Sequence, residues 1–263
     1  MQNESIRISA VSYLNTLPFL YGIKYSGYLE NISFDLDYPS ICAQKLIDNR
    51  VDISLIPVAS IPYVKKPYLI SDYCIGSQKE VKSVLLISDV PLEQIKSVLL
   101  DYQSNTSVNL VKVLAKKYWN IEPKWIQAGK GFENEISGNS AAVVIGDRTF
   151  SLSHKFRYVY DLASEWNRFT GKPFVFATWA SNKVIEPEFL KRFNYALEFG
   201  INHIKEVVDE YSKDFADSNI DLYRYLTENI SFLFDHDKKE SLNLFYQYLF
   251  DLGIYKNNVS NII

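Results

Sequence analysis

The first 56 residues alternate between two hydrophobic periods, and this alternation constrains the fold more than any other feature of the sequence. The periods predict strand, helix, strand, helix and strand, in that order, over 6–11, 16–25, 33–38, 41–49 and 51–56. Strands joined by a helix pair in parallel, so this order indicates parallel βαβ units and an α/β fold. Ser40 stands where its hydroxyl would cap the second helix.

The remaining sequence predicts a second group of strands and then a helical tail. Three prolines between residues 57 and 67 mark a connecting segment. Further strands are expected over 81–88, 95–102, 121–126, 141–145, 158–162 and 174–179. A helix with Thr106 or Ser107 as its N-cap should follow the second of these strands. Beyond Pro187 the periodicity predicts helices over 190–211, 222–234 and 242–252.

This order of elements predicts an α/β architecture of two lobes with a ligand cleft between them and a helical C-terminal tail. We expect the chain to cross between the lobes twice, so that lobe 1 comprises 1–88 with 178–263 and lobe 2 comprises 89–177. No low-complexity linker separates the lobes, so they should pack against each other. A cleft of this kind favours a small ligand, because strand ends and helix starts of both lobes can face it.

Charge and composition exclude several classes of function. The aromatic fraction of 15% would suit a base-stacking surface, but a net charge of −3 lacks the positive field that nucleic acid requires. The N-terminus lacks a signal-peptide pattern, and no window holds 18 uninterrupted apolar residues. Cys42 and Cys74 have neither a metal spacing nor a disulfide framework, which predicts buried free thiols. We therefore expect a cytoplasmic protein that binds neither nucleic acid nor a membrane.

Small hydroxyl and amide side chains cluster at three points where a predicted strand ends and a helix begins. These residues are Ser12, Tyr13 and Asn15, then Ser40, and finally Ser104, Asn105, Thr106 and Ser107. Free N–H groups at helix starts, together with the helix dipole, bind carboxylates without Lys or Arg. Three such ends in one cleft would suit a small dianion, whereas each side chain taken alone could simply cap its helix.

Two further positions have a ligand interpretation and a structural one. Asn15 lies beside Pro18 in a turn, where its amide either reaches a ligand or stabilises the turn. Gly146 and Asp147 follow a buried strand, where they form either a ligand-facing strand end or a glycine turn with an Asp cap. The three histidines are scattered without metal spacing, so we expect no metal and no cofactor.

A series of motifs runs in order over roughly two-thirds of the chain. These motifs occupy 10–19, 37–40, 51–58, 83–86, 106–108, 145–147 and 165–177. Together they resemble the chorismate dehydratase family of the futalosine route to menaquinone, and the first motif, 10–19, is specific. The helical tail resembles the family only in pattern.

The resemblance implies a fold like that of type 2 periplasmic binding proteins. It also implies a lyase that removes water from chorismate and yields 3-[(1-carboxyvinyl)oxy]benzoate, with Asn15 and Ser83 nearest the chemistry. Expected substrate-binding residues are Ser12, Tyr13, Ser40, Ser104, Asn105, Thr106, Ser107, Gly146, Asp147 and Phe174. Neither Asn nor an unassisted Ser is a base at neutral pH, so we hypothesise that a substrate carboxylate abstracts the ring proton.

Two alternatives remain open from the sequence. A sister family, 1,4-dihydroxy-6-naphthoate synthase, shares parts of these motifs, but there a His-Glu pair with a catalytic histidine stands where this chain has Gly146 and Asp147. The other alternative is a non-catalytic small-anion binding protein on the same fold.

Overall fold

The structure is a computed structural model that describes residues 5–212 and 220–256. The strands of this part are β1 (Ile6–Val11), β2 (Ile32–Asp37), β3 (Ile53–Pro57), β4 (Tyr68–Ser77), β5 (Val84–Ser88), β6 (Ser97–Leu100), β7 (Lys124–Gln127), β8 (Ser140–Ile145), β9 (Tyr158–Asp161), β10 (Phe174–Ser181) and β11 (Ser231–Leu233). Its helices are α1 (Leu17–Tyr25), α2 (Pro39–Ile47), α3 (Asn105–Leu114), α4 (Thr149–Leu152), α5 (Leu162–Thr170), α6 (Pro187–Asn202), α7 (Ile204–Tyr211), α8 (Leu222–Arg224) and α9 (His236–Asp251). A π-helical turn, Tyr225–Asn229, directly continues α8.

The described strands form two mixed sheets. One has six strands in the order β11-β4-β10-β3-β1-β2, and the other has five in the order β7-β6-β8-β5-β9. β1 pairs in parallel with β2 and β3, as the alternation of periods predicts. β10 runs antiparallel between β3 and β4, and β5 runs antiparallel between β8 and β9. The molecule is therefore an α/β fold with two sheets, and each sheet contains parallel and antiparallel pairs.

The chain passes between the sheets at points that differ from the predicted lobe boundaries. β5 lies inside the predicted lobe 1, yet it pairs with β8 and β9 of the five-stranded sheet. The first residues of β10 lie inside the predicted lobe 2, yet they pair with β4. The changes of sheet thus fall in 78–83 and 171–173, rather than at 88 and 178. Hydrophobicity alone does not reveal this difference, because β5 and β10 are buried along their whole length.

Two strands were not predicted, because their partners lie far away in the sequence. β4 lies between the proline-marked segment and the strand predicted over 81–88, and it pairs with β10 about one hundred residues later. β11 falls inside the predicted helix over 222–234 and covers the other edge of β4. The predicted helix over 190–211 is also interrupted at His203, where α6 ends and α7 begins.

Both N-cap predictions are wrong. Tyr38 is the N-cap of α2, because Pro39 starts the helix with a fixed backbone angle and leaves Ser40 inside the first turn. Ser104 is the N-cap of α3, and its hydroxyl accepts a hydrogen bond from the Ser107 N–H at 3.1 Å. The polar run after β6 therefore enters the helix earlier than the apolar periodicity indicates.

The main hydrophobic core is continuous between the two sheets, as expected for lobes that pack together. α1 and α6 approach closely on the outer face of the six-stranded sheet, where a Cβ at Gly22 would lie 1.9 Å from the Ala196 carbonyl oxygen. Cys42 and Cys74 are buried free thiols, which confirms that prediction. This shared core places the strand ends of both sheets around one internal space.

Candidate functional site between the two sheets

A small cavity, in which the centres of water molecules can occupy about 50 Å³, lies where elements of both sheets meet. Val11, Pro57 and Ile145 line it at the ends of β1, β3 and β8. Phe176 of β10 forms an aromatic part of the wall. Most of the lining is apolar, with a small number of hydroxyl and amide groups, and this combination is typical of sites for small, flat organic ligands.

Six of the predicted site residues line this cavity. They are Tyr13, Asn15, Ser83, Ser104, Ser107 and Gly146. The structure therefore brings together the first polar strand end, the start of α3 and the turn after β8. These segments are far apart in the sequence. They include the first and the third of the three predicted polar ends, whereas Ser40 of the second does not line the cavity.

Two predicted residues instead fasten neighbouring elements to each other. The Thr106 hydroxyl accepts from the Ala59 N–H at 3.2 Å and donates to the Phe176 carbonyl at 3.0 Å. The Asn105 amide donates to the Ser60 hydroxyl at 2.8 Å. Both side chains hold the start of α3 against the segment after β3, so they fix the cavity wall without lining it.

The other predicted residues lie further from the cavity. Ser12 is exposed and borders an apolar groove on the outer side of α1. The Ser40 N–H donates to the Gln103 carbonyl at 3.1 Å, so this helix-start amide is already used within the protein. Phe174 is only 2% exposed and packs edge-on against Trp166, so Phe176 takes the place at the cavity that was expected for Phe174.

Asp147 binds a backbone amide across the cleft. Its two carboxylate oxygens lie 3.1 and 3.3 Å from the Leu14 nitrogen and accept its N–H, which links the turn after β8 to the segment after β1. Burial raises the pKa of Asp147 to about 6, although the hydrogen bond from Leu14 opposes the shift. This carboxylate therefore ties the two sheets together.

Tyr13 provides a second tie and requires a glycine opposite it. Its hydroxyl donates to Gln103 Oε1 at 2.6 Å. Its ring lies against Gly146, where an added Cβ would come within 2.7 Å of two ring carbons. Gly146 also has φ +75°, a left-handed conformation that glycine adopts without strain. Gly146 thus allows the Tyr13 ring to form one wall of the cavity.

Ser83 has a phenol as its partner. The Tyr225 hydroxyl donates to Ser83 Oγ at 2.8 Å in a fully buried contact. Asn15 Oδ1 accepts a hydrogen bond from the neighbouring Thr16 hydroxyl at 3.2 Å. The Asn15 amide also hydrogen-bonds with the Tyr225 phenol, so one of its N–H bonds is used within the protein and the other can be offered to a ligand. Ser83 and Asn15 thus share Tyr225 as a partner.

The cavity is electrically neutral apart from its dipoles. Among the described residues that line it, none is Lys, Arg, His, Asp or Glu. Arg148 lies nearby, but it pairs with the buried Asp101 and with Glu133. The start of α3 supplies the positive end of a helix dipole at Ser104 and Ser107, which suits a carboxylate in this otherwise apolar space.

The described residues contain neither a candidate metal-binding cluster nor a candidate membrane-spanning helix. Residues 5–212 and 220–256 contain no group of three or more His, Cys, Asp or Glu side chains that could hold a metal ion. In the same part of the chain, no helix combines the length and the apolar character that a membrane crossing needs.

Comparison with known proteins assigns the family. A family model described as menaquinone biosynthesis matches residues 6–251. The chain belongs to this family. Chorismate dehydratase of Thermus thermophilus is 26% identical to this family member over 238 residues, a match that covers 81% of the chain and 84% of the relative. The resemblance found in the motifs is thereby confirmed.

Solved structures confirm the fold class. Protein AF1704 of Archaeoglobus fulgidus superposes with a TM-score of 0.74 at 12% identity, and the match covers 97% of this chain and all of that one (100%). The Candida albicans CA3427 gene product, described as having the generic periplasmic binding protein fold, superposes at 0.62 with 15% identity over 96% and 91% of the two chains. The aliphatic sulphonate binding protein SsuA of Escherichia coli gives 0.59 with 12% identity over 98% and 91%. At these identities the likeness concerns the fold alone, which is that of the periplasmic binding proteins.

Several residues of the site were not predicted from the sequence. Gln103 begins the polar run after β6, and no pattern in the sequence marks it as a site residue. Its carbonyl and its side chain both accept hydrogen bonds across the cleft. Phe176 belongs to a buried strand whose alternation does not reveal which face meets the cavity. Tyr225 lies in the C-terminal part, where no motif distinguishes it from other core tyrosines.

Proposed function

We propose that this member of the menaquinone biosynthesis family is a chorismate dehydratase, a carbon–oxygen lyase of the futalosine route. The observation that carries the proposal is the neutral cavity in which Asn15 and Ser83 stand beside the start of α3. The relative from Thermus thermophilus named chorismate dehydratase supports the same assignment. Chorismate is a small dianion with a nearly flat ring, and its oxygens suit the amide and hydroxyl groups of this cavity and the helix start beside them.

The reaction requires the loss of one ring hydrogen and the adjacent hydroxyl. We infer that the carboxylate of the substrate's own enolpyruvyl group takes the proton from the ring carbon that carries the ether oxygen. The electron pair of the broken C–H bond becomes part of the aromatic ring, and the neighbouring C–O bond breaks. The departing hydroxide takes up the abstracted proton, so that one water molecule leaves and the carboxylate is regenerated.

The neutral lining favours a substrate carboxylate as the base. A carboxylate that is removed from water and has no cation beside it has a raised pKa and holds a proton more readily. An Arg or Lys in direct contact would stabilise the charged form and weaken the base. The lining contains neither among the described residues, and the nearby Arg148 is paired with Asp101 and Glu133.

The protein groups would orient the substrate and stabilise the departing oxygen. In this proposal the Asn15 amide donates to the substrate hydroxyl or carboxylate, and the Ser83 hydroxyl holds an oxygen on the same side of the ring. The hydroxyls of Ser104 and Ser107, 2.9 Å apart, lie at the start of α3 where the second carboxylate would bind. Orientation of this kind supplies a large part of the rate enhancement when the product is aromatic.

Incubation of the purified protein with chorismate tests the proposal. Chromatography should show loss of chorismate and formation of 3-[(1-carboxyvinyl)oxy]benzoate. Asn15→Ala should lower turnover by about a hundredfold or more, because it removes a donor aimed at the reacting oxygen. Asn109→Ala is a matched control, since the Asn109 amide donates to the Asn105 carbonyl within α3.

The outcome separates the remaining functions. Tight binding of chorismate without product would favour a binding protein, a class to which several structural neighbours belong. Activity on cyclic dehypoxanthinyl futalosine would favour the sister enzyme, although Gly146 occupies the position of its catalytic histidine. Near-normal turnover by Asn15→Ala, or abolition of turnover but not of binding by Asp147→Asn alone, would refute the assignment of roles.

A further inference from the structure

The C-terminal helical turn is fastened to the segment that carries Ser83. The Tyr225 hydroxyl donates to Ser83 Oγ at 2.8 Å, and the Asn229 amide donates to the Glu80 carbonyl at 3.2 Å. Both contacts join the turn Tyr225–Asn229 to the passage between β4 and β5. A part of the chain 142 residues away in sequence therefore contacts a proposed catalytic side chain directly.

The backbone on either side of this contact is also held in place. Asp161 Oδ2 accepts the N–H groups of Val81 and Lys82 at 3.0 and 2.6 Å, and Lys82 has φ +62°, which is a strained conformation for a lysine. A strained residue persists only where its surroundings fix it. The position of Ser83 is thus set by the backbone, and the main freedom left to its side chain is the direction of the hydroxyl proton.

The Tyr225 phenol is suited to be a permanent donor. It is 2% exposed, and Phe150 packs edge-on against its ring with the centroids 5.1 Å apart. Burial raises the pKa of the Tyr225 phenol far above its usual value, and hydrogen bonds with Ser83 and Asn15 lower it only in part. The phenol therefore keeps its proton at any working pH and occupies a lone pair of Ser83 Oγ.

We propose that Tyr225 is a positioning residue that directs the Ser83 hydroxyl proton into the cavity and toward a substrate oxygen. Among the described residues this proton makes a long contact of 3.4 Å, to the Val81 carbonyl. A substrate oxygen at normal hydrogen-bond distance is a better acceptor, and donation from Tyr225 strengthens the Ser83 hydroxyl as a donor. Tyr225 itself lies behind Ser83 and does not line the cavity.

This inference rests on the proposed dehydration of chorismate and makes a specific prediction for Tyr225→Phe. The variant should lower kcat by about tenfold and change KM by less than about threefold, because the bond matters most when charge develops on the departing oxygen. In a Ser83→Ala background the same substitution should change kcat by less than about twofold, since Tyr225 then has no Ser83 hydroxyl to direct. A larger change would show that Tyr225 acts through Asn15, its other hydrogen-bond partner, and would refute the inference.

Tyr246→Phe is the matched control. The Tyr246 hydroxyl is also buried and also donates over 2.8 Å, but its acceptor is the Val58 carbonyl. Tyr246→Phe should lower the stability of the protein but leave kcat unchanged, and its effect should be the same with and without the Ser83 hydroxyl. Melting temperatures of all variants, measured in parallel, allow kcat to be expressed per folded molecule.

The outcomes distinguish this inference from the proposed function. Wild-type protein that does not convert chorismate refutes both. If the wild type converts chorismate while Tyr225→Phe lowers kcat equally with and without the Ser83 hydroxyl, that result refutes only the role of Tyr225. The same conclusion follows if Tyr225→Phe lowers kcat no more than Tyr246→Phe does.

A nearly isosteric change keeps the test available if Tyr225→Phe does not fold. Fluorotyrosine introduced at position 225 alone retains the ring and the hydroxyl but makes the phenol more acidic and hence a stronger donor. We expect kcat to rise by about twofold in the Ser83 protein and to stay constant in Ser83→Ala. Constant kcat in both proteins contradicts the inference, because a purely structural role would not respond to donor strength.

Discussion

Substitution of Gly146 by alanine tests how closely the two sheets must approach at the cavity. Gly146 has φ +75°, and a Cβ built there lies 2.7 Å from Tyr13 Cε1 and Cζ and 3.1 Å from Cδ1. Alanine would therefore be strained in its backbone and would also displace the Tyr13 ring. Gly171 separates the two effects, because it has φ +73° and no atom within 4 Å of its built Cβ.

The expected magnitudes follow from these two positions. A left-handed alanine costs about 1 to 2 kcal/mol at either site. Only at Gly146 is there a steric cost of about 1 to 3 kcal/mol and the loss of a hydrogen bond of about 1 kcal/mol to Gln103. Gly146→Ala should therefore be less stable than Gly171→Ala by about 2 to 4 kcal/mol, or roughly 4 to 16 °C in Tm for a chain of this size.

Thermal unfolding of both variants in two backgrounds is the assay. In a Tyr13→Ala protein the ring is gone, so Gly146→Ala should cost no more than Gly171→Ala. Turnover of chorismate should also fall more in Gly146→Ala, since Tyr13 lines the cavity. Equal losses of Tm for the two glycine variants, or a Gly146→Ala cost that persists without the Tyr13 ring, would show that the contact between ring and glycine does not limit stability.

Three further predictions concern buried carboxylates and helix packing. Burial raises the pKa of Asp147 to about 6, so the contribution of Asp147 to stability is full below about pH 4 and is lost as the pH rises through 6. The Tm of Asp147→Asn should therefore rise relative to that of the wild type between about pH 4 and 7. Parallel profiles of Tm against pH would contradict this prediction. Asp161→Asn keeps a cap for α5 but places an amide against the N–H groups of Val81 and Lys82, so denaturant unfolding should show a loss of about 2 kcal/mol, together with reduced turnover. Gly22→Ala would place its Cβ 1.9 Å from a backbone carbonyl of α6 and should cost more than about 3 kcal/mol by the same measurement, whereas a loss under about 1 kcal/mol would contradict the close helix contact.

The features that could be predicted from the sequence are those set by local periodicity. β1, β2 and β3 alternate with α1 and α2 in the first 57 residues, and hydrophobic period alone distinguishes them. The polar residues at strand ends were likewise identifiable, because Asn15 and Ser104 interrupt apolar patterns at the points where helices begin. Parallel pairing brings such ends to one edge within each sheet, as for β1 with β3 and for β6 with β8, and the cavity lies where these two edges meet.

The remaining features depend on contacts between distant parts of the chain. β4 is a strand because β10 and β11 cover its two edges, and both partners come at least about one hundred residues later. Tyr225 was missed for the same reason, since a tyrosine in an apolar pattern is usually core and only the folded chain shows that its hydroxyl meets Ser83. Asp147 was recognised as a site residue, but its partner, the Leu14 N–H, is a backbone group that no side-chain pattern reveals.

The central position of β10 in the six-stranded sheet has a consequence for biosynthesis on the ribosome. The two halves of this sheet cannot be joined until Ser181 has been synthesised, because β10 separates β3 from β4, and the edge strand β11 comes later still. All strands of the five-stranded sheet lie between Val84 and Asp161, so that sheet can form first. Its first and last strands, β5 and β9, are neighbours, and Leu85 pairs with Asp161 about 5 Å away. Early folding of the inserted sheet would therefore bring the two ends of the unfinished one together and greatly shorten the loop that β10 must close.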